Sequence, residues 1–215
     1  MIKKILLTLS LLVFGLSYAV AEDATKTYLA GTDYDVIAPP VHTLNQDKIE
    51  VAEFFWYGCH HCYNFEPLVE KWKKDMPADV SFRGIPAIWG EGMDLHAKAF
   101  YTAEVLGVED TMSPVLFEAM NVNKKRLASK AEIAALFVAN GVAEADFNKA
   151  FDSFGVGSEV RQAVSIAKAA KLTGTPALMV NGKYLVSGRK AGTQADMLKV
   201  VDFLVAQERA AKSGK

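Results

Sequence analysis

The chain has 215 residues, with 24 Lys and Arg against 25 Asp and Glu, and about half of it is apolar. So even a charge balance, with no sustained basic stretch, excludes a nucleic-acid binder that works through phosphate contacts. The length suits one domain, or one domain with an insertion, and such a composition can bury a core without disulfide staples.

Lys3-Lys4, a mostly apolar run over 5–16 and Ala19-Val20-Ala21 before Glu22 form the three parts of a secretory signal peptide, residues 1–21. The apolar run is well short of the roughly 20 residues that span a bilayer, so no stable membrane insertion is expected. An uncleaved anchor is the alternative, and no cysteine near the cleavage site supports a lipoprotein. Cleavage removes two lysines and no acid, leaving a net charge near −3.

Residues 22–45 are polar, with Pro39-Pro40 opposing helix, and read as an N-terminal arm holding one strand at most. Residues 49–57 (IEVAEFFWY) are β-branched and aromatic, a buried strand that Gly58 ends. Cys59-His60-His61-Cys62 follows. From Cys62, the residues Phe65, Leu68, Val69 and Trp72 share one helical face, to about Lys74. Residues 80–85 are a second strand.

A helical block comes next, with helices expected at 93–106, 113–121, 129–140, 144–154 and 158–172; Ser129 and Glu132 form a capping box. Strands return at 177–180 and 183–186, joined by the type I′ turn signal Asn181-Gly182. Thr193 and Asp196 cap a last helix to about 208, with 209–215 frayed. The expected division is 22–88 for the arm and first part of an α/β unit, 89–160 for an all-helical insertion, and 161–215 for the second part.

Cys59 and Cys62 are the only cysteines. In an oxidising compartment they can pair only with each other, which suits a disulfide that opens and closes. A free thiol is only about 3 % thiolate at pH 7, and the thiolate is what attacks. Cys59 stands at the start of a helix, facing first-turn N–H groups and the positive end of the dipole, so its pKa should fall. His60 and His61 could add hydrogen bonds or charge. Cys62, one turn in, is the expected resolving thiol. Structural zinc would need further ligands, and only His42 and His96 remain among the histidines, so no metal is expected. Covalent haem needs a histidine where Tyr63 stands, so no cofactor is expected either. An inert disulfide closing so small a loop would contribute little stability.

Beside such a pair, Thr175-Pro176 is a candidate cis bond packed against the sulfurs, with the Thr175 backbone free to pair with an extended substrate peptide. Glu53 is either a solvent-facing strand residue or a buried acid below Cys62 that assists proton transfer, with Arg83 as its candidate charge partner.

AEFFWYGCHHCYNFEP (52–67), LGVEDTMSPVLFEAMN (106–121) and TGTPALMVNGKYLV (173–186) closely resemble the bacterial periplasmic DsbA family of thiol:disulfide oxidoreductases. The likeness runs from about Tyr28 to the last helix. It implies an α/β thioredoxin fold, a central mixed β-sheet flanked by helices, interrupted by a helical domain. It also implies attack at Cys59, resolution by Cys62, a cis Pro176 and a buried acid at Glu53. DsbA is itself the standard instance of a stabilised thiolate making a strongly oxidising disulfide. The implied function is oxidation of newly exported, reduced polypeptides by a monomer in a Gram-negative periplasm. A quinone-linked membrane protein of the DsbB type would reoxidise it. His60 replaces the proline usual between the cysteines, and Thr175 the valine usual before the cis-proline; both bear on redox potential and partner choice. A reductase or isomerase using the same dithiol, and a peptide-binding chaperone with an incidental disulfide, are the alternative roles.

Overall fold

The computed structural model describes residues 26–214, and the signal peptide expected at 1–21 lies outside them. Five strands form one mixed sheet in the order β1-β5-β4-β2-β3. At its centre β2 (Ile49–Phe55) runs parallel to β3 (Val80–Pro86) and antiparallel to β4 (Ala177–Val180). β5 (Tyr184–Ser187) pairs antiparallel with both β4 and the short edge strand β1 (Asp35–Val36). Every residue of β2 is buried, as a strand with neighbours on both edges and helices on both faces requires.

Helix α1 (His60–Lys74) joins β2 to β3 as a parallel crossover. Five helices then follow without a strand: α2 (Met93–Leu106), α3 (Glu109–Asn121), α4 (Lys130–Ala139), α5 (Glu144–Phe151) and α6 (Phe154–Ala169). A four-residue helix α7 (Gly188–Ala191) and the long α8 (Gln194–Ser213) close the chain. Successive β2 side chains point to opposite faces, so the sheet separates two cores. On one face Ile49 and Val51 pack with Phe65 and Val69 of α1 and with Val201 and Leu204 of α8. On the other, Ala52 and Phe54 join a cluster with Phe100, Leu116, Phe137 and Phe147 of the helical unit. The thioredoxin fold with a helical insertion is thus present.

Several ends differ from the sequence reading. α3 starts at Glu109, where Glu109 and Asp110 place acid in the first turn. α5 stops at Phe151, and α6 opens at Phe154 because Ser153 caps it by accepting the Val156 N–H. Glycines 155 and 157 disguise that start. Ser129 caps α4 as expected, but the Glu132 carboxylate reaches the Ala128 N–H, so the box is incomplete. Thr193 and Asp196 form the complete box. Asn181 and Gly182 have φ of 49° and 66°, as a type I′ turn needs. The tail is helical to Ser213, since Arg209 pairs with Asp79 at 2.6 Å and Lys212 donates to Gln46 O and Lys48 O at 2.9 and 3.1 Å.

Candidate active site

The chain leaves β2 through Trp56-Tyr57-Gly58, and the Cys59 N–H closes the turn on Trp56 O at 2.9 Å. The Trp56 indole lies over Gly58 so closely that an added Cβ would sit 2.4 Å from a ring carbon. Only glycine fits there. Cys59 is the N-cap of α1: its Sγ accepts the Cys62 N–H at 3.4 Å. On its other side the Cys59 thiol lies 3.5 Å from Thr175 O, and the Thr175-Pro176 bond is cis, as expected. A second cis bond, Ala38-Pro39, had no signal distinguishing it.

Both cysteines are free thiols, in very different settings. Cys59 is half-buried, and its pKa is lowered from 9.0 to about 5. The largest cause is a hydrogen bond from the Cys62 side chain; others come from the Thr175 side chain and the Cys62 and His61 backbone, against partial burial, which raises it. At pH 7 such a group is about 99 % thiolate. Cys62 is fully buried, and burial first, then its hydrogen bond to Cys59 and the Cys59 charge, push its thiol far up. The motif therefore holds one reactive sulfur and one protected sulfur.

Glu53 lies on the central strand, 4 % exposed, with Oε1 buried and without a hydrogen-bond partner. That position rules out the solvent-facing reading. Burial raises its pKa well above the ordinary carboxylate value, helped by the charge of Glu66. It opens onto a cleft of about 410 Å³ along α1 and α3, lined also by Glu66, Glu70, Lys73 and Glu109. Burial holds the Glu66 carboxyl at about 7 and raises that of Glu109 too.

A model of the DSBA-like thioredoxin domain matches residues 79–197. The thiol:disulfide interchange protein DsbA of Pseudomonas aeruginosa is 39 % identical over 199 residues, spanning 93 % of this chain and 92 % of its own. The DsbA of Pseudomonas syringae pv. tomato is 40 % identical over 201 residues, 93 % of this chain and 91 % of its own. The crystal structure of P. aeruginosa DsbA matches with a TM-score of 0.83 at 39 % identity, over 86 % of this chain and 97 % of that one. For DsbA of Xylella fastidiosa the TM-score is 0.79 at 32 % identity, over 85 % and 98 %. The chain belongs to the DsbA-like thioredoxin-domain family. It is a thiol:disulfide oxidoreductase, of a family that acts on protein disulfides.

One expectation about this DsbA-like site needs correction. Arg83 does not partner Glu53. It donates to Glu50 Oε1 at 3.0 Å, while Glu50 Oε2 accepts the Leu44 N–H at 2.8 Å. The register explains it: Arg83 stands opposite Ala52 and Glu53 opposite Gly84, so Arg83 and Glu53 point to opposite faces. Among the leading causes of the lowered Cys59 pKa, His61 supplies its backbone. His60 and His61 are both exposed, and His60 Nε2 is engaged with the Asn64 side chain at 3.2 Å.

The helical unit braces the motif through residues the sequence reading did not assign. Trp56 Nε1–H donates to His96 Nδ1 at 2.9 Å, and His96 Nε2 donates to Arg126 O and Leu127 O at 3.2 and 3.3 Å. Burial lowers the His96 pKa, which favours the neutral ring that can accept from Trp56. Asn121 Nδ2 donates to Tyr57 O at 2.7 Å and Phe117 O at 2.9 Å, and Tyr57 Oη shares a hydrogen bond with Ser113 Oγ at 2.9 Å. In the sequence, a lone histidine in an apolar helix is the one signal for the role of His96. Among the described residues no cluster of three or more His, Cys, Asp or Glu is arranged to hold a metal ion, and no helix is long and apolar enough to cross a membrane.

Proposed function

We propose that this protein oxidises thiol pairs in newly exported polypeptides in the periplasm, through a mixed disulfide at Cys59. A substrate thiolate attacks Cys59 of the Cys59–Cys62 disulfide. The S–S bond breaks, and Cys62 leaves with the electron pair and takes a proton. Glu53, buried and unpaired on the α1 face of the sheet, is the group suited to exchange that proton. A second substrate thiolate then attacks the substrate sulfur of the mixed disulfide and releases Cys59 as a thiolate. The substrate has lost two electrons and the enzyme has gained them; a quinone-linked membrane reoxidase removes them. The cis Thr175-Pro176 segment would hold the substrate backbone beside Cys59. The signal-peptide pattern at 1–21 supports export.

The observation that carries this reading is the asymmetry of the thiols, Cys59 at about 5 and Cys62 far above its ordinary value. Stabilising the thiolate stabilises the reduced protein, which makes its disulfide a good donor. It argues against a reductase, whose dithiol must give electrons up. Cys59→Ser should abolish oxidation of a reduced unfolded protein. Equilibration of the pair with a glutathione buffer decides direction: a potential close to that of reducing thioredoxins would overturn the oxidant role.

A further inference from the structure

A second cleft, of about 450 Å³, opens on the cis-proline side of Cys59. Its lining includes His61, Thr175, Pro176, Arg189 and Gln194. Gln194, in the first turn of α8, donates to His61 O at 2.6 Å and ties the motif to this wall. Two cations stand in it, and they differ. Lys190 is committed, with Nζ at 2.7 Å from both Asp35 Oδ1 and Gly31 O. Arg189, on the one-turn helix α7, is exposed and has no hydrogen bond or ion pair within the described residues. Asp35, the one acid of this lining, is already neutralised by Lys190. The cleft that flanks the reactive sulfur therefore presents one uncompensated guanidinium.

We propose that Arg189 makes this enzyme prefer substrate segments that carry an aspartate or glutamate within a few residues of the reacting cysteine. This rests on the oxidase reading above and adds a substrate class to it. An extended peptide whose cysteine reaches Cys59 and whose backbone lies along Thr175 and Pro176 enters the cleft that Arg189 borders. A guanidinium offers a planar pair of donors that matches a carboxylate in two parallel hydrogen bonds, whereas a lysine of the substrate would meet like charge. The cleft on the other side of α1 cannot take that acid. It is lined by Glu53, Glu66, Glu70, Glu109 and Asp110 against Lys73 and Lys74.

The test uses the full mature protein and a set of reduced two-cysteine peptides that differ only in residues flanking the first cysteine: Asp or Glu, Ser, or Lys, placed before or after it. The readout is the ratio of kcat/KM between acidic and lysine peptides at low ionic strength. The preference expected for the wild type is about 3- to 10-fold, the range of one charge-assisted contact open to water. It should shrink toward unity near 1 M salt, where screening acts over about 3 Å. Arg189→Gln should remove it and Arg189→Glu reverse it. Each ratio is taken on one preparation, so a partly unfolded variant does not distort it. Equal rates for all peptides in the wild type, or a preference retained in Arg189→Glu, would overturn the proposal while leaving the oxidase reading intact. No oxidation of any peptide would instead overturn the oxidase reading.

Discussion

The two clefts beside α1 have opposite electrostatic character, and the reactive sulfur lies between them. In the first, carboxyls crowd around Glu53, and burial raises the pKa values of Glu53, Glu66 and Glu109. In the second, the Arg189 guanidinium is open to water and unpaired among the described residues. A buried, under-ionised acid is suited to exchanging protons, and an exposed charge is suited to recognising a partner. The contrast even divides one strand: Glu50, three residues from Glu53, is just as buried but paired with Arg83.

The largest expected effect concerns the sulfur between the clefts. A Cys59 thiolate with a pKa of about 5 stabilises the reduced fold fully above the unfolded thiol value near 9, and that stability is lost as pH falls through 5. Four units would be about 5 kcal/mol, and half-exposure to water reduces this to about 2–4 kcal/mol. Denaturation of the reduced protein from pH 5 to 9 should show this rise and the oxidised protein should not. A parallel rise in both would remove the thiolate as its source.

Glu53→Gln tests the acidic cleft. Loss of the proton acceptor should slow the steps that protonate or deprotonate Cys62 about 100-fold and flatten their pH profile. It should also stabilise the fold, by on the order of 1–3 kcal/mol, because the buried Glu53 carboxyl must hold a proton that the unfolded chain releases, and Gln has no such proton to hold. The sign is specific: the advantage over wild type should grow as pH rises above about 4.5, where the unfolded carboxyl ionises. A destabilised variant with unchanged exchange rates would reduce Glu53 to a packing residue.

Asn121→Ala tests the brace behind the cleft wall. It removes the donor to Tyr57 O and should cost about 1–3 kcal/mol in thermal or chemical denaturation, with looser geometry at Cys59. The smallest effect falls on the basic side. Thr193→Ala removes the α8 cap next to Gln194 and should cost about 1 kcal/mol. If it also lowers the selectivity for acidic peptides, the His61–Gln194 tie shapes that cleft; if it does not, the cleft is held by the cis-proline segment alone.

Much of the reactive motif was legible beforehand. A lone cysteine pair after a strand and a glycine announced a strand-to-helix junction, and that junction makes Cys59 the N-cap whose Sγ accepts an α1 N–H. Helix ends with a local signal, at Met93, Leu106 and Thr193, fell where expected. Those whose stabilisation comes from distant residues did not: the last turns of α8 are held by Asp79, Gln46 and Lys48. Arg83 was assigned to the wrong carboxylate because nearness in sequence says nothing about the face until the β2–β3 register is known.

By itself, then, the sequence determined what depends on neighbours along the chain: the redox pair, the capping position of Cys59, the type I′ turn and the α/β unit split by helices. Only the tertiary structure decided what depends on burial and on contacts between distant segments. Among these are the charge partner of Glu50, the orphaned oxygen of Glu53, the Trp56–His96 and Tyr57–Asn121 ties, and the unpaired Arg189 beside the cis-proline. The physical reason is that a side chain's proton affinity and hydrogen-bond satisfaction are set by everything within a few ångströms, and most of that arrives from elsewhere in the chain.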